Sequence, residues 1–94
     1  MPEFKSQLPG EDLVAEGLLD LSQGVSSISA LLVLIGAPRL RRLGVSIPFL
    51  KNPPDCPEHA LYGRLQDENS RSAHSRYNAL IRRLVSYERA LEKI

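Results

Sequence analysis

Apolar residues recur at helical spacing through several stretches of this 94-residue chain. In the first, Leu13, Val14, Leu18, Leu19 and Leu21 are interleaved with Asp12, Glu16 and Asp20, which fall at i, i+4 and i+8 and so share one acidic face. The pattern predicts an amphipathic helix from Glu11 to about Gln23. Glu11 and Asp12 suit its first turn, where unpaired N–H groups and the positive dipole end favour carboxylates. Gly24 marks its stop, because glycine takes the left-handed C-terminal conformation without a Cβ clash.

Ile28 to Ile35 is apolar nearly all round, which predicts the central and most buried element, with Ser26 or Ser27 as its cap. Gly36-Ala37-Pro38 interrupts the run. Proline has no N–H to offer inside a helix but suits a first turn, so a new short helix is expected from Pro38 to Leu43, ending at Gly44. A kinked continuation of the same helix is the alternative. From Val45 to Pro57 four prolines (Pro48, Pro53, Pro54, Pro57) predict an extended connector, laid on the core by Val45, Ile47, Phe49 and Leu50.

Pro57-Glu58 opens another helix, with Leu61, Tyr62 and Leu65 inward and its end near Asp67. The polar stretch from Glu68 to Ser75 then offers Asn69, Ser70 or Ser72 as caps. The last helix is expected to be the longest. Ala73, Tyr77, Leu80, Leu84, Tyr87, Leu91 and Ile94 recur at spacings of four and three, and Ile81 and Val85 widen that seam into a face suited to a bundle. The fold class predicted is all-α: one domain over residues 1–94, a small bundle of about four to five helices with the proline-rich connector between its halves.

Length and composition narrow this further. Ninety-four residues hold one core and exclude a multidomain enzyme. With 43% hydrophobic but only 5% aromatic residues and no Trp, that core must be aliphatic. Charged residues make up 24% and net +1, which argues against disorder and against a bulk affinity for nucleic acid or anionic lipid. The average hides a gradient. Residues 1–24 hold five acids and one Lys, net −4, and residues 71–94 hold six basic and two acidic residues, net +4. The two ends are complementary, either within one chain or between two antiparallel copies.

The lone Cys56 excludes an intramolecular disulfide, and Met1-Pro2-Glu3-Phe4-Lys5 lacks the order of a signal peptide, so a cytoplasmic protein is expected. The charge-free stretch Leu21 to Pro38 is densely apolar only from Ile28 to Ala37, a length that suits a core helix and not a membrane span.

Candidate chemistry gathers on arginines. Arg76, Arg82 and Arg83 have no Asp or Glu three or four residues away, so no ion pair within the helix engages them. They face either the acidic stripe of the same chain or an external ligand. The function favoured is a non-catalytic interaction or regulatory module. Its C-terminal helix would bind a protein partner, or a second copy as a homodimer, through Arg76, Tyr77, Leu80, Arg82, Arg83, Leu84, Tyr87 and Leu91. The alternative is a nucleic-acid binder using Arg39, Arg41, Arg42 and the C-terminal arginines. In its favour, Arg39 to Ser46, ending Leu43-Gly44-Val45-Ser46, is similar to the turn of helix-turn-helix DNA-binding proteins. Against it, Pro48, Pro53 and Pro54 would cut a recognition helix to about two turns.

A third reading is a small hydrolase built on His74, flanked by Arg71 and Arg76. The Arg-to-His spacing is similar to, but shorter than, that of HEPN-class RNases, and no acid adjoins His74 in sequence to orient it. Cys56 and His59 have a ligand-like spacing, but four zinc ligands are not at hand. The neighbours of Cys56 are prolines and acids, a setting that does not activate a thiol as a nucleophile. No phosphate loop or hydrolase elbow is present, so neither cofactor nor metal is expected and an enzyme is not favoured.

Overall fold

A computed structural model describes residues 8–48 and 54–93. Among the described residues the fold is an all-α bundle of four helices, α1 (Glu11–Ser22), α2 (Ile28–Arg42), α3 (Pro57–Glu68) and α4 (Ala73–Glu92), with no strand. The element that is apolar all round is the hub: α1, α3 and α4 each pack on α2, and α3 also packs on α4. Four successive residues of α2, Ala30, Leu31, Leu32 and Val33, are at most 2% exposed, a pattern open only to a helix covered on every side. Val14 and Leu21 from α1, Leu61 and Leu65 from α3, and Leu84 and Tyr87 from α4 close the core around them.

The helix ends follow local chemistry. Ser27 caps α2, its Oγ accepting from the Ala30 N–H at 3.1 Å. Gly24 and Gly44 take positive φ after α1 and α2. In both places the next residue reaches back: Val25 N–H donates to Asp20 O at 2.8 Å and Val45 N–H to Leu40 O at 2.9 Å, the six-to-one closure of a Schellman end. Pro57 sits in the first turn of α3. Ahead of α4, Asn69 Oδ1 accepts from the Arg71 N–H at 3.0 Å and so shapes the turn, and Ser72 makes no side-chain cap.

One boundary differs from expectation. No new helix starts at Pro38; α2 runs through it to Arg42, the continuation given above as the alternative. Pro38 is exposed, and a proline inside a helix is best tolerated on the solvent side, where water can meet the carbonyl that loses its N–H partner. Residues 45–48 form no helix, and Val45 and Ile47 are half-buried against the core; Phe49, Leu50 and Pro53 of the connector, and Ile94 of the last seam, lie outside the described residues.

Two helix crossings depend on missing side chains. A Cβ at Gly17 of α1 would collide with the Ser29 carbonyl and come within 2.5 Å of Val33 Cγ2. One at Gly36 of α2 would lie 2.9 Å from Leu84 Cδ1 and 3.0 Å from Glu88 Oε2 of α4. Gly36, read from the sequence as part of an interruption, is where α4 seats on α2.

Candidate interaction surface

The acidic stripe of α1 divides its work. Ser29 Oγ donates to Glu16 Oε1 at 3.0 Å and Ser27 Oγ to Asp20 Oδ2 at 2.5 Å, so two of its three carboxylates clamp the α1–α2 hairpin. Among the described residues only Asp12 of the three meets an arginine, accepting from Arg83 at 2.8 Å across to α4. That hydrogen bond holds the Asp12 carboxyl below its ordinary pKa.

The residues expected at the contact face of α4 separate into two sets. Leu84, at 3% exposure, and Tyr87, at 9%, belong to the core of the chain itself and are not surface contacts. Leu84 packs against Gly36, and the Tyr87 Cβ lies beside Gly10, because α4 seats on both α2 and the start of α1. Tyr77, Leu80 and Leu91 are half-buried. The Tyr77 ring meets Tyr62 of α3 at 5.6 Å between centroids. Burial raises both tyrosine hydroxyls, helped at Tyr77 by Glu58 and Cys56 and at Tyr87 by Glu11. Arg76 pairs with Glu68 of α3 at 2.8 Å, and Arg82 is exposed with no ion pair among the described residues.

A cleft between α1 and α4 gives this surface its shape. At one end the helices touch: Gly10, at φ 76°, brings its backbone so near Arg83 that a Cβ there would lie 2.5 Å from the Arg83 carbonyl oxygen. Farther along they leave a space of about 330 Å³, lined by Leu13 of α1, Ile28 of α2, and Arg76, Ala79, Leu80 and Arg83 of α4. Three of the predicted residues thus come together here. Leu13 and Ile28 were not singled out, since nothing in the sequence says which face of another helix will border α4.

Arg39, Arg41 and Arg42 form the last turn of α2, where cations oppose the helix dipole favourably. Arg39 is taken up within the chain, 2.6 Å from Glu92 and 3.9 Å from Glu88, whereas Arg41 and Arg42 are exposed. The helix-turn-helix expectation fails at its second element, because residues 45–48 form no helix where a recognition helix would start. Glu88 is an addition that the sequence did not flag. It is 5% exposed, and burial raises its carboxyl pKa, with Arg39 opposing and Glu92 adding to the rise.

His74 is exposed, and its ring nitrogen meets Asn78 at 3.2 Å, a neighbour that cannot act as an acidic orienter. Cys56 is exposed, its thiol 3.5 Å from Glu58. No cluster of three metal-ligating side chains occurs among the described residues, and none of their helices is long and apolar enough to cross a membrane. Comparison with protein-family models, curated proteins and solved structures finds no match to this chain.

Proposed function

We propose that this protein is a non-catalytic, cytoplasmic interaction module that binds a protein partner or a second copy through α4 and the cleft it forms with α1. The observation that carries the reading is the cleft itself. Leu13, Ile28, Ala79 and Leu80 offer an apolar lining, and Arg76 and Arg83 stand over it. Apolar contact bordered by arginine is the composition that interface centres favour. Leu80 is the residue to test, being half-buried in the cleft and outside the core cluster of fully buried side chains. Leu80→Glu is expected to weaken association at least about tenfold, as loss of a central apolar contact does, with helicity by circular dichroism unchanged. A chain that stays monomeric by light scattering, and whose Leu80→Glu variant retrieves the same proteins as the wild type, overturns the reading.

A second reading, nucleic-acid binding, draws on the exposed Arg41 and Arg42 at the end of α2. Pairing of Arg39, Arg76 and Arg83 with carboxylates of the same chain leaves it fewer free cations than the sequence count suggests. Its signature is affinity that falls steeply with salt through counterion release, and absence of binding at low salt removes it.

A further inference from the structure

We propose that the outer face of α4, with the adjoining end of α2, binds the phosphate backbone of a nucleic-acid duplex without reading its sequence. The inference rests on the nucleic-acid reading above and gives it a site, separate from the cleft. Arg82, Arg89 and Lys93 are exposed, and none of them forms an ion pair among the described residues. Their spacings of seven and four residues set them on one line of the helix, roughly 16 Å long at the α-helical rise. Ser75 and Ser86 share that line, and no carboxylate of α4 does. The two acids of the helix, Glu88 and Glu92, sit on its flank toward α2, where Arg39 meets both.

The end of α2 extends this face. Gly36 lies under Leu84 and Glu88, and Arg39 reaches on to Glu92, so residue numbers rise together and the two helices run parallel. Their last turns therefore share one end of the bundle, which brings the exposed Arg41 and Arg42 to the same end as Arg89 and Lys93. Helix dipoles favour cations here, but each C-terminus carries only about half a negative charge. Together with the one carboxylate that Arg39 leaves unmatched, they do not cancel four exposed cations.

The surroundings select the ligand. Among the described residues the exposed large apolar side chains are Leu19 and Val25, on α1 and the turn after it, at the opposite end of the bundle, and no aromatic ring is exposed. A protein partner would want an apolar centre, single-stranded nucleic acid an aromatic platform, and a lipid surface an apolar side chain to insert. A duplex needs none of these. It presents a rigid row of phosphates with condensed counterions, whose release gives affinity to cations alone, and the planar fork of arginine holds a phosphate through two hydrogen bonds.

The test uses a fluorescein-labelled duplex of about 20 base pairs and mixed sequence, as DNA and as RNA, followed by anisotropy from about 50 mM salt upward. Binding to either duplex that weakens as salt rises supports the proposal, and the tighter of the two identifies the source of the backbone. The triple variant Arg82→Gln, Arg89→Gln, Lys93→Gln is expected to bind at least about tenfold more weakly at low salt. It should also flatten the slope of log affinity against log salt by about 2–3. Its helicity by circular dichroism should not change, since the three side chains lose no ion pair. Arg64→Gln removes one charge from an arginine already donating to the Ser26 carbonyl at 2.7 Å, and should weaken binding less than Arg89→Gln does. Equal losses from those two, or a triple variant that binds like the wild type, overturn this site and leave nucleic-acid binding through other cations standing. No duplex binding at low salt removes both. Tighter binding to the single strand, or to vesicles containing phosphatidylserine, also overturns the proposal.

Discussion

Glu88 is the residue whose environment least suits its chemistry. It lies on α4 against Gly36, 5% exposed, with Arg39 3.9 Å away and already held by Glu92 at 2.6 Å. Burial raises its pKa, so the ionised form opposes folding at neutral pH; that opposition fades as pH falls through the raised value and is gone below the unfolded one. Glu88→Gln keeps the shape and removes the charge. Urea unfolding at pH 7.5 is expected to show a gain on the order of 1 kcal/mol, shrinking toward pH 4. A loss at pH 7.5 would mean that Arg39 needs Glu88 more than this geometry implies.

At the scale of elements, the α1–α2 hairpin is held by a close crossing more than by its loop. Gly17 admits the Ser29 carbonyl and Val33, and the serines of α2 return hydrogen bonds to Glu16 and Asp20 on either side of that contact. Gly17→Ala would ordinarily stabilise a helix, since glycine costs about 1 kcal/mol there against alanine. Here the added methyl has no room. The crossing must open, and a net destabilisation of about 1–3 kcal/mol is expected in urea melts, with Tm falling accordingly. An unchanged or higher midpoint would show that the two helices are free to shift apart.

For the molecule as a whole, the charge gradient is the organising feature. Its acidic and basic ends meet within one chain at a single described point, Asp12 with Arg83, while most of the acidic stripe serves the α1–α2 hairpin. The Asp12 pKa lies below its unfolded value, so this bridge favours folding above the ordinary carboxylate range and that favour is lost as pH falls through the lowered pKa, the opposite sign to Glu88. Asp12→Asn is therefore expected to lower Tm slightly at pH 7 and to leave it unchanged at pH 2. Melting curves at the two pH values check this, and an equal loss at both would assign the effect to something other than charge.

How much of this was legible follows from how local each cause is. The four helices, the Ser27 cap and the stops at Gly24 and Gly44 were readable because neighbours along the chain set them: apolar spacing, a hydroxyl three residues from an N–H, a glycine free to take positive φ. Pro38 misled because its exposure, which makes an in-helix proline tolerable, depends on what covers the rest of α2. Leu84 and Tyr87 were expected at a partner's surface and lie in the core for the same reason, since a seam does not say which of its residues its own chain will cover. The sequence by itself determined the helices, the aliphatic core and the bipolar charge. Tertiary structure alone decided that Gly17 and Gly36 are crossing points, that Glu88 is buried, and that Leu13 and Ile28 join Leu80 beside Arg76 and Arg83. Each of these depends on where residues distant along the chain come to lie in three dimensions, and periodicity carries no information about that.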